Sequence, residues 1–119
     1  MHELSIAASI VDLAQEEAAN RNVRVLAVHL RLGPLSGVVR EALLGSFEMA
    51  AAGTPLERSR LVITETPIVI FCQECQERRT VASMQWMRCP ECGTPATEVV
   101  GGSELQVTAL QVINQEVGT

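Results

Sequence analysis

Lysine and tyrosine are absent from this 119-residue chain, and aromatic residues make up only 3% of it, one Trp and two Phe. Its positive charge comes from nine arginines, set against 13 Glu and one Asp for a formal net charge of -5. No broad basic face is left to neutralise phosphates, and little aromatic surface is left to stack bases. Nucleic acid is therefore not an expected partner. Long hydrophobic runs are missing as well: none approaches the roughly 18 residues of a membrane span. The opening MHELSI also lacks the basic start and small-residue cleavage site of a signal peptide. The chain is expected to be cytoplasmic and away from membranes. A reducing compartment disfavours disulfides among its four cysteines and leaves their thiolates free to hold a metal.

What is abundant is aliphatic, with 47% of residues hydrophobic. A chain of this length makes one domain, or one domain with a small insert, and buries roughly two-thirds of its unfolded surface. From Leu4 to about Ala19, the residues Ile6, Ala7, Ile10, Val11, Leu13, Ala14 and Ala18 share one helical face, which predicts a first helix. VRVLAVHLRL (23–32) then alternates, placing Leu26, Val28, Leu30 and Leu32 opposite His29 and Arg31, as a half-buried strand does. Gly33 and Pro34 stop it. Helical spacing returns in VREALLGSFEMAA (39–51) through Leu43, Leu44, Phe47 and Ala51, and Gly53 and Pro55 end it. RLVITET reads as a second strand, Pro67 as a bend or an edge position, and ELQVTALQV (104–112) as a third strand able to rejoin the first two. The expected fold class is α/β: a small sheet of about three strands with two helices, plus an inserted zinc-ribbon-like module. The α/β body spans 1–70 and is completed by the returning strand in 100–119. The module occupies 71–99.

That module carries all four cysteines, the only Trp and few aliphatic residues, so it is expected to depend on something other than a hydrophobic core. Cys72-Gln-Glu-Cys75 and Cys89-Pro-Glu-Cys92-Gly are separated by thirteen residues. Two residues between cysteines let both sulfurs turn to one point, and two such pairs complete a tetrahedral four-thiolate site with no open position. Structural zinc is the expected metal, and its binding supplies folding free energy. Arg78, Arg79 and Arg88 either offset the site's negative charge or are simply solvated. The same ligands would hold iron in a rubredoxin-like electron carrier, although such sites pack aromatics round the metal. A zinc-ribbon regulator that binds a protein or nucleic acid is the other alternative, disfavoured for nucleic acid by the acidic balance.

His2 has a plain explanation as a solvated side chain behind the initiator Met. A histidine there also offers its imidazole, its own backbone amide and the Met1 amine in adjoining chelate rings, and Glu3 adds another backbone nitrogen and a carboxylate. Nitrogen-rich, roughly planar sets of this kind favour Ni(II) or Cu(II). Histidine is too bulky for efficient removal of the preceding Met, so the terminus is expected to stay as written. No nucleophile with a nearby base, phosphate loop or HExxH motif is present, and no enzyme is expected.

MHELSIA, LGPLSGVVREALLGSFE, GTPLE, the two CxxC pairs and the closing ELQVTAL, in this order over essentially the whole chain, resemble the HypA/HybF family of hydrogenase-maturation nickel metallochaperones. The resemblance implies nickel at the MHE terminus, on His2 and Glu3, and zinc on Cys72, Cys75, Cys89 and Cys92. It implies two partners: a nickel-handling maturation GTPase and the [NiFe]-hydrogenase large subunit that receives the metal. Some members supply a further carboxylate near the start of the second helix, where this chain has Val39. Glu41, the nearest acid, is expected to face solvent in the helix's first turn, where the macrodipole favours it. His29 is expected to be exposed and not a ligand.

Overall fold

The computed structural model describes residues 2–115, which form two helices and two small sheets. The first helix, α1 (Glu3–Arg21), buries Ala7, Ile10, Val11 and Ala14, the i, i+3, i+4, i+7 stripe of its sequence. It stops at Asn22, whose left-handed φ of 53° turns its N–H back to the carbonyls of Ala18 and Ala19. A short polar side chain tolerates that conformation. The second helix, α2 (Arg40–Ala51), buries Leu43, Phe47 and Ala51 at four-residue spacing and packs against α1. Thr54 closes it, donating its hydroxyl to the Ala51 carbonyl at 2.6 Å.

The first sheet has the order β2-β1-β6, with β1 Val23–Leu32, β2 Arg60–Glu65 and β6 Leu105–Asn114. The three strands foreseen in the sequence thus form one sheet, with the last beside the first. Residues of α1 and β6 line one groove, and residues of α2 and β2 line another. Strand β1 buries Val25 and Ala27 as well as Val28, Leu30 and Leu32, and leaves Leu26 and His29 half-buried. Strict alternation fails because both faces of β1 carry buried residues, Val25 and Ala27 on one and Val28, Leu30 and Leu32 on the other. His29 is accordingly not the exposed residue its position suggested, and its carbonyl accepts the Thr108 hydroxyl at 3.4 Å.

The second sheet has the order β4-β3-β5, with β3 Ile68–Cys72, β4 Glu77–Val81 and β5 Glu98–Gly101. Strand β3 pairs antiparallel with both neighbours, and a bulge between Val69 and Ile70 interrupts its ladder with β5. Its buried cluster is small, Ile68, Ile70 and Val81, with Leu35, Met87 and Ala96 packed against it.

The chain divides into two compact units: the residues up to Leu30, Val38–Ile63 and those from Val107 onward form one; Arg31–Gly37 with Thr64–Gln106 form the other. In the second unit Gly33 donates its N–H to the Glu104 carbonyl at 2.8 Å, and Leu35 donates to the Gly102 carbonyl at 2.7 Å. A Cβ at Gly33 would overlap that Gly102 carbonyl, so the Gly-Pro that ends β1 is also a point of close backbone approach. The Glu104 carboxylate accepts the Thr66 hydroxyl at 2.7 Å and the Gly102 N–H at 2.9 Å, with Arg31 at 3.9 Å.

Candidate metal centre

Cys72 is the last residue of β3, and Glu77 opens β4, so the first CxxC pair occupies the hairpin turn between them. The Gln76 N–H returns to the Cys72 carbonyl at 2.8 Å, and Gln76 itself takes a left-handed φ of 55°. The Cys75 N–H points at Cys72 Sγ, 3.4 Å away. The second pair repeats the turn. Here Gly93, at φ 77°, donates its N–H to the Cys89 carbonyl at 2.8 Å, and Cys89 donates to the Thr94 carbonyl at 2.9 Å. Glycine suits that conformation, whereas Gln76 adopts it against the usual Cβ preference.

The two turns bring all four sulfurs within 4.8 Å of one another. Sulfurs of one pair approach those of the other: Cys72 to Cys92 at 3.5 Å and Cys75 to Cys89 at 3.9 Å. A tetrahedral metal held by thiolates at about 2.3 Å requires sulfur–sulfur edges of about 3.8 Å, so the spacing fits such an ion. None of the four forms a disulfide. Cys72 and Cys89 are buried, Cys75 is half-buried and Cys92 is exposed. This is a four-cysteine metal site.

The surroundings favour thiolates unequally. Burial raises the Cys89 thiol, but the backbone N–H groups of Cys92 and Glu91 outweigh it and bring Cys89 down to about 6. The Thr94 hydroxyl and backbone N–H lower Cys92, whose Sγ lies 3.1 Å from Thr94 Oγ1. Arg79 draws Cys75 down, yet the competing sulfurs of Cys92 and Cys72 push it up to about 12. Hydrogen bonding to the neighbouring sulfurs thus favours the protonated form of Cys75, and a thiol must give up its proton to ligate a metal. Thr94 was not singled out in the sequence. Its signal was the CGT that follows the second pair.

Neither His2 nor Glu3 joins such a cluster: among the described residues the cysteines form the one group of three or more metal-ligating side chains. His2 is exposed at the N-cap of α1, and its side chain makes no capping bond. Glu3 is half-buried in the first turn, and its Oε2 accepts the N–H of Val39, the N-cap of α2, at 3.4 Å. The Glu3 carboxylate thus lies against the start of α2, where the sequence has Val39. Glu41 is exposed, as expected, with Arg40 at 3.8 Å. The Met1 amine lies outside the described residues.

Residues 1–112 match the family model described as hydrogenase/urease nickel incorporation, metallochaperone, hypA. The chain belongs to the HypA family. A HypA-family relative named hydrogenase maturation factor HypA, from Roseiflexus sp. (strain RS-1), is 49% identical over 112 residues, covering 93% of this chain and 91% of its own. Another of that name, from Chloroflexus aurantiacus (strain ATCC 29366 / DSM 635 / J-10-fl), is 48% identical over 112 residues, covering 93% of this chain and 98% of its own. The fold is shared with the solution structure of the Ni metallochaperone HypA from Helicobacter pylori, at a TM-score of 0.66 and 19% identity over 97% of this chain and 100% of that one. A second HypA solution structure matches at a TM-score of 0.71 and 20% identity over 97% of this chain and 98% of that one. The HypA fold here is two helices with two three-stranded sheets, and no described helix is long and apolar enough to cross a membrane.

Proposed function

We propose that this HypA-family chain carries Ni(II) at its amino terminus, on His2 and Glu3, and delivers it to the [NiFe]-hydrogenase large subunit during maturation. The observation that supports the nickel site is the state of His2. Its imidazole is exposed and serves no helix cap, so it can bind and release a metal without breaking a structural contact. Backbone nitrogens of His2 and Glu3 beside that imidazole suit Ni(II) geometry. An exposed terminal site also exchanges its cargo readily, as a carrier must. A nickel-handling GTPase is the proposed partner at loading or transfer. The work is that of a carrier, not an enzyme, in the cytoplasm, where free thiols persist.

Cys72, Cys75, Cys89 and Cys92 are proposed to hold structural Zn(II). Zinc accepts four thiolates in a closed tetrahedron and would supply folding free energy to the unit around it. The cysteines, their turn N–H groups and Thr94 fix that geometry.

Calorimetric nickel titration of tag-free protein tests the terminus, with zinc assayed in parallel. His2→Ala and His2→Gln are expected to nearly abolish nickel binding while leaving zinc content unchanged and stability within about 0.5 kcal/mol, since neither touches a buried contact. A one-residue extension before Met1 separates use of the terminal amine from use of the amides. Nickel bound by His2→Ala as tightly as by the parent would remove the site.

A further inference from the structure

The four sulfurs of the metal site are not equally reachable. Cys72 and Cys89 are only 3% and 2% exposed, Cys75 is half-buried, and Cys92 is exposed. The chain beside Cys92 is open as well: among the described residues, a Cβ added at Gly93 would meet nothing within 4 Å beyond its chain neighbours. On its protein side, Cys92 Sγ lies 3.1 Å from Thr94 Oγ1 and 3.5 Å from the buried Cys72 Sγ of the other turn. Cysteines that respond to oxidants combine access to solvent with a second thiol poised to resolve the first product. Cys92 has both, whereas Cys72 and Cys89 lack the access.

We infer that Cys92 is a peroxide-sensitive modification site: hydrogen peroxide oxidises it, Cys72 resolves it as a disulfide between the two turns, and the site gives up its metal. This rests on the reading that the four cysteines hold zinc. First the Cys92 thiolate attacks one peroxide oxygen; an S–O bond forms, the O–O bond breaks and hydroxide leaves. The Cys72 thiolate then attacks the Cys92 sulfur; an S–S bond forms, the S–O bond breaks and a second hydroxide leaves. Two thiolates lose two electrons in all, peroxide gains them, and solvent protons turn both hydroxides into water. To bond, the two sulfurs close by about 1.5 Å from their present separation. Cys75 and Cys89 remain 3.9 Å apart, and two thiolates do not complete the closed tetrahedron that zinc takes. The bridge joins one turn to the other in place of the ion, and thiol exchange can reopen it, as transient disulfides of a reducing compartment require.

The test titrates the full chain, loaded with Zn(II), with hydrogen peroxide. Zinc release is read with a chromogenic indicator and free thiols are counted. In a parallel sample the first oxidised cysteine is trapped with a sulfenic-acid reagent and located by peptide mapping. About one zinc per chain is expected to leave as two thiols disappear, with trapping at Cys92, a Cys72–Cys92 bridge, and zinc rebinding after a thiol reductant. Cys92→His keeps a zinc ligand that peroxide does not oxidise in this way, and is expected to need at least about tenfold more peroxide to lose its zinc. Zinc lost from that variant at the parent's peroxide level overturns the inference. So does first trapping at another cysteine, or a bridge within one CxxC pair; these two readings on the parent decide the matter should Cys92→His hold no zinc. A parent that holds no zinc before any peroxide is added would instead overturn the zinc reading itself.

Discussion

In the first unit, Ala7, Ile10, Val11 and Ala14 of α1 and Leu43, Phe47 and Ala51 of α2 are buried along with Val25, Ala27, Val28 and Leu30 of β1. The buried hydrophobic residues of the second unit are Leu32, Ile68, Ile70 and Val81, with Cys72 and Cys89 making up the rest. One unit has helices whose apolar stripes supply burial by the turn. The other has short strands and two cysteine turns, and part of its interior is the metal site itself. The difference teaches that burial comes from different sources in the two units: helix and strand packing in one, a small aliphatic cluster and two cysteine turns in the other.

The comparison breaks most visibly if the ion is removed. Structural zinc can contribute on the order of 10 kcal/mol to folding. Stripping the metal, or replacing Cys72 by Ser, is therefore expected to abolish amide-exchange protection in β3, β4 and β5 while α1 and α2 keep theirs. Protection persisting at Ile70 and Val81 in metal-free protein would mean that the small aliphatic cluster suffices, and the contrast would disappear. Leu43→Ala is the reciprocal probe. Leu43 is 0% exposed, and truncating such a residue costs about 2–5 kcal/mol. Denaturant unfolding should show that loss in the helical unit, with metal content unaltered at low denaturant; early loss of metal would show that the two units unfold together.

A smaller effect concerns the polar contacts of the second unit. The Thr66 hydroxyl, followed by the backbone N–H groups of Glu104 and Gly102 and the charge of Arg31, holds the Glu104 carboxyl below its ordinary value of 4.5. A carboxyl whose folded pKa is depressed stabilises the fold above the ordinary carboxylate value, and that contribution is lost as pH falls through the depressed one. Thr66→Val removes the largest cause. The Glu104 titration, followed by carboxyl-carbon NMR, should move up towards 4.5, and the acid limb of the stability curve should become shallower. An unmoved titration would leave the backbone donors as the sufficient cause.

Helix periodicity gave both helices to within two residues, because Leu, Ile and Ala at three- and four-residue spacing have few other ways to be buried together. The strands β1, β2 and β6 were legible from alternation, and the cysteine site from spacing alone, since two residues between thiols prescribe a turn. The strands β4 and β5 were not legible: ERRTV and EVVG are short and largely exposed, and their pairing with β3 comes from distant chain segments. Burial on β1 was only half legible, because alternation reports one covered face and cannot tell that Val25 and Ala27 on the other face are buried too.

The sequence by itself determined the two helices, the strands β1, β2 and β6, the spacing of the four cysteines and the placement of His2 and Glu3 at the start of a helix, all of which depend on residues a few positions apart. Tertiary structure alone decided the rest. It put the Glu3 carboxylate on the N–H of Val39, 36 residues away, and brought Cys72 to Cys92 and Cys75 to Cys89 at metal-binding distance. Those outcomes depend on which strand faces sit together and in what register, and register is fixed by long-range pairing that local spacing does not encode.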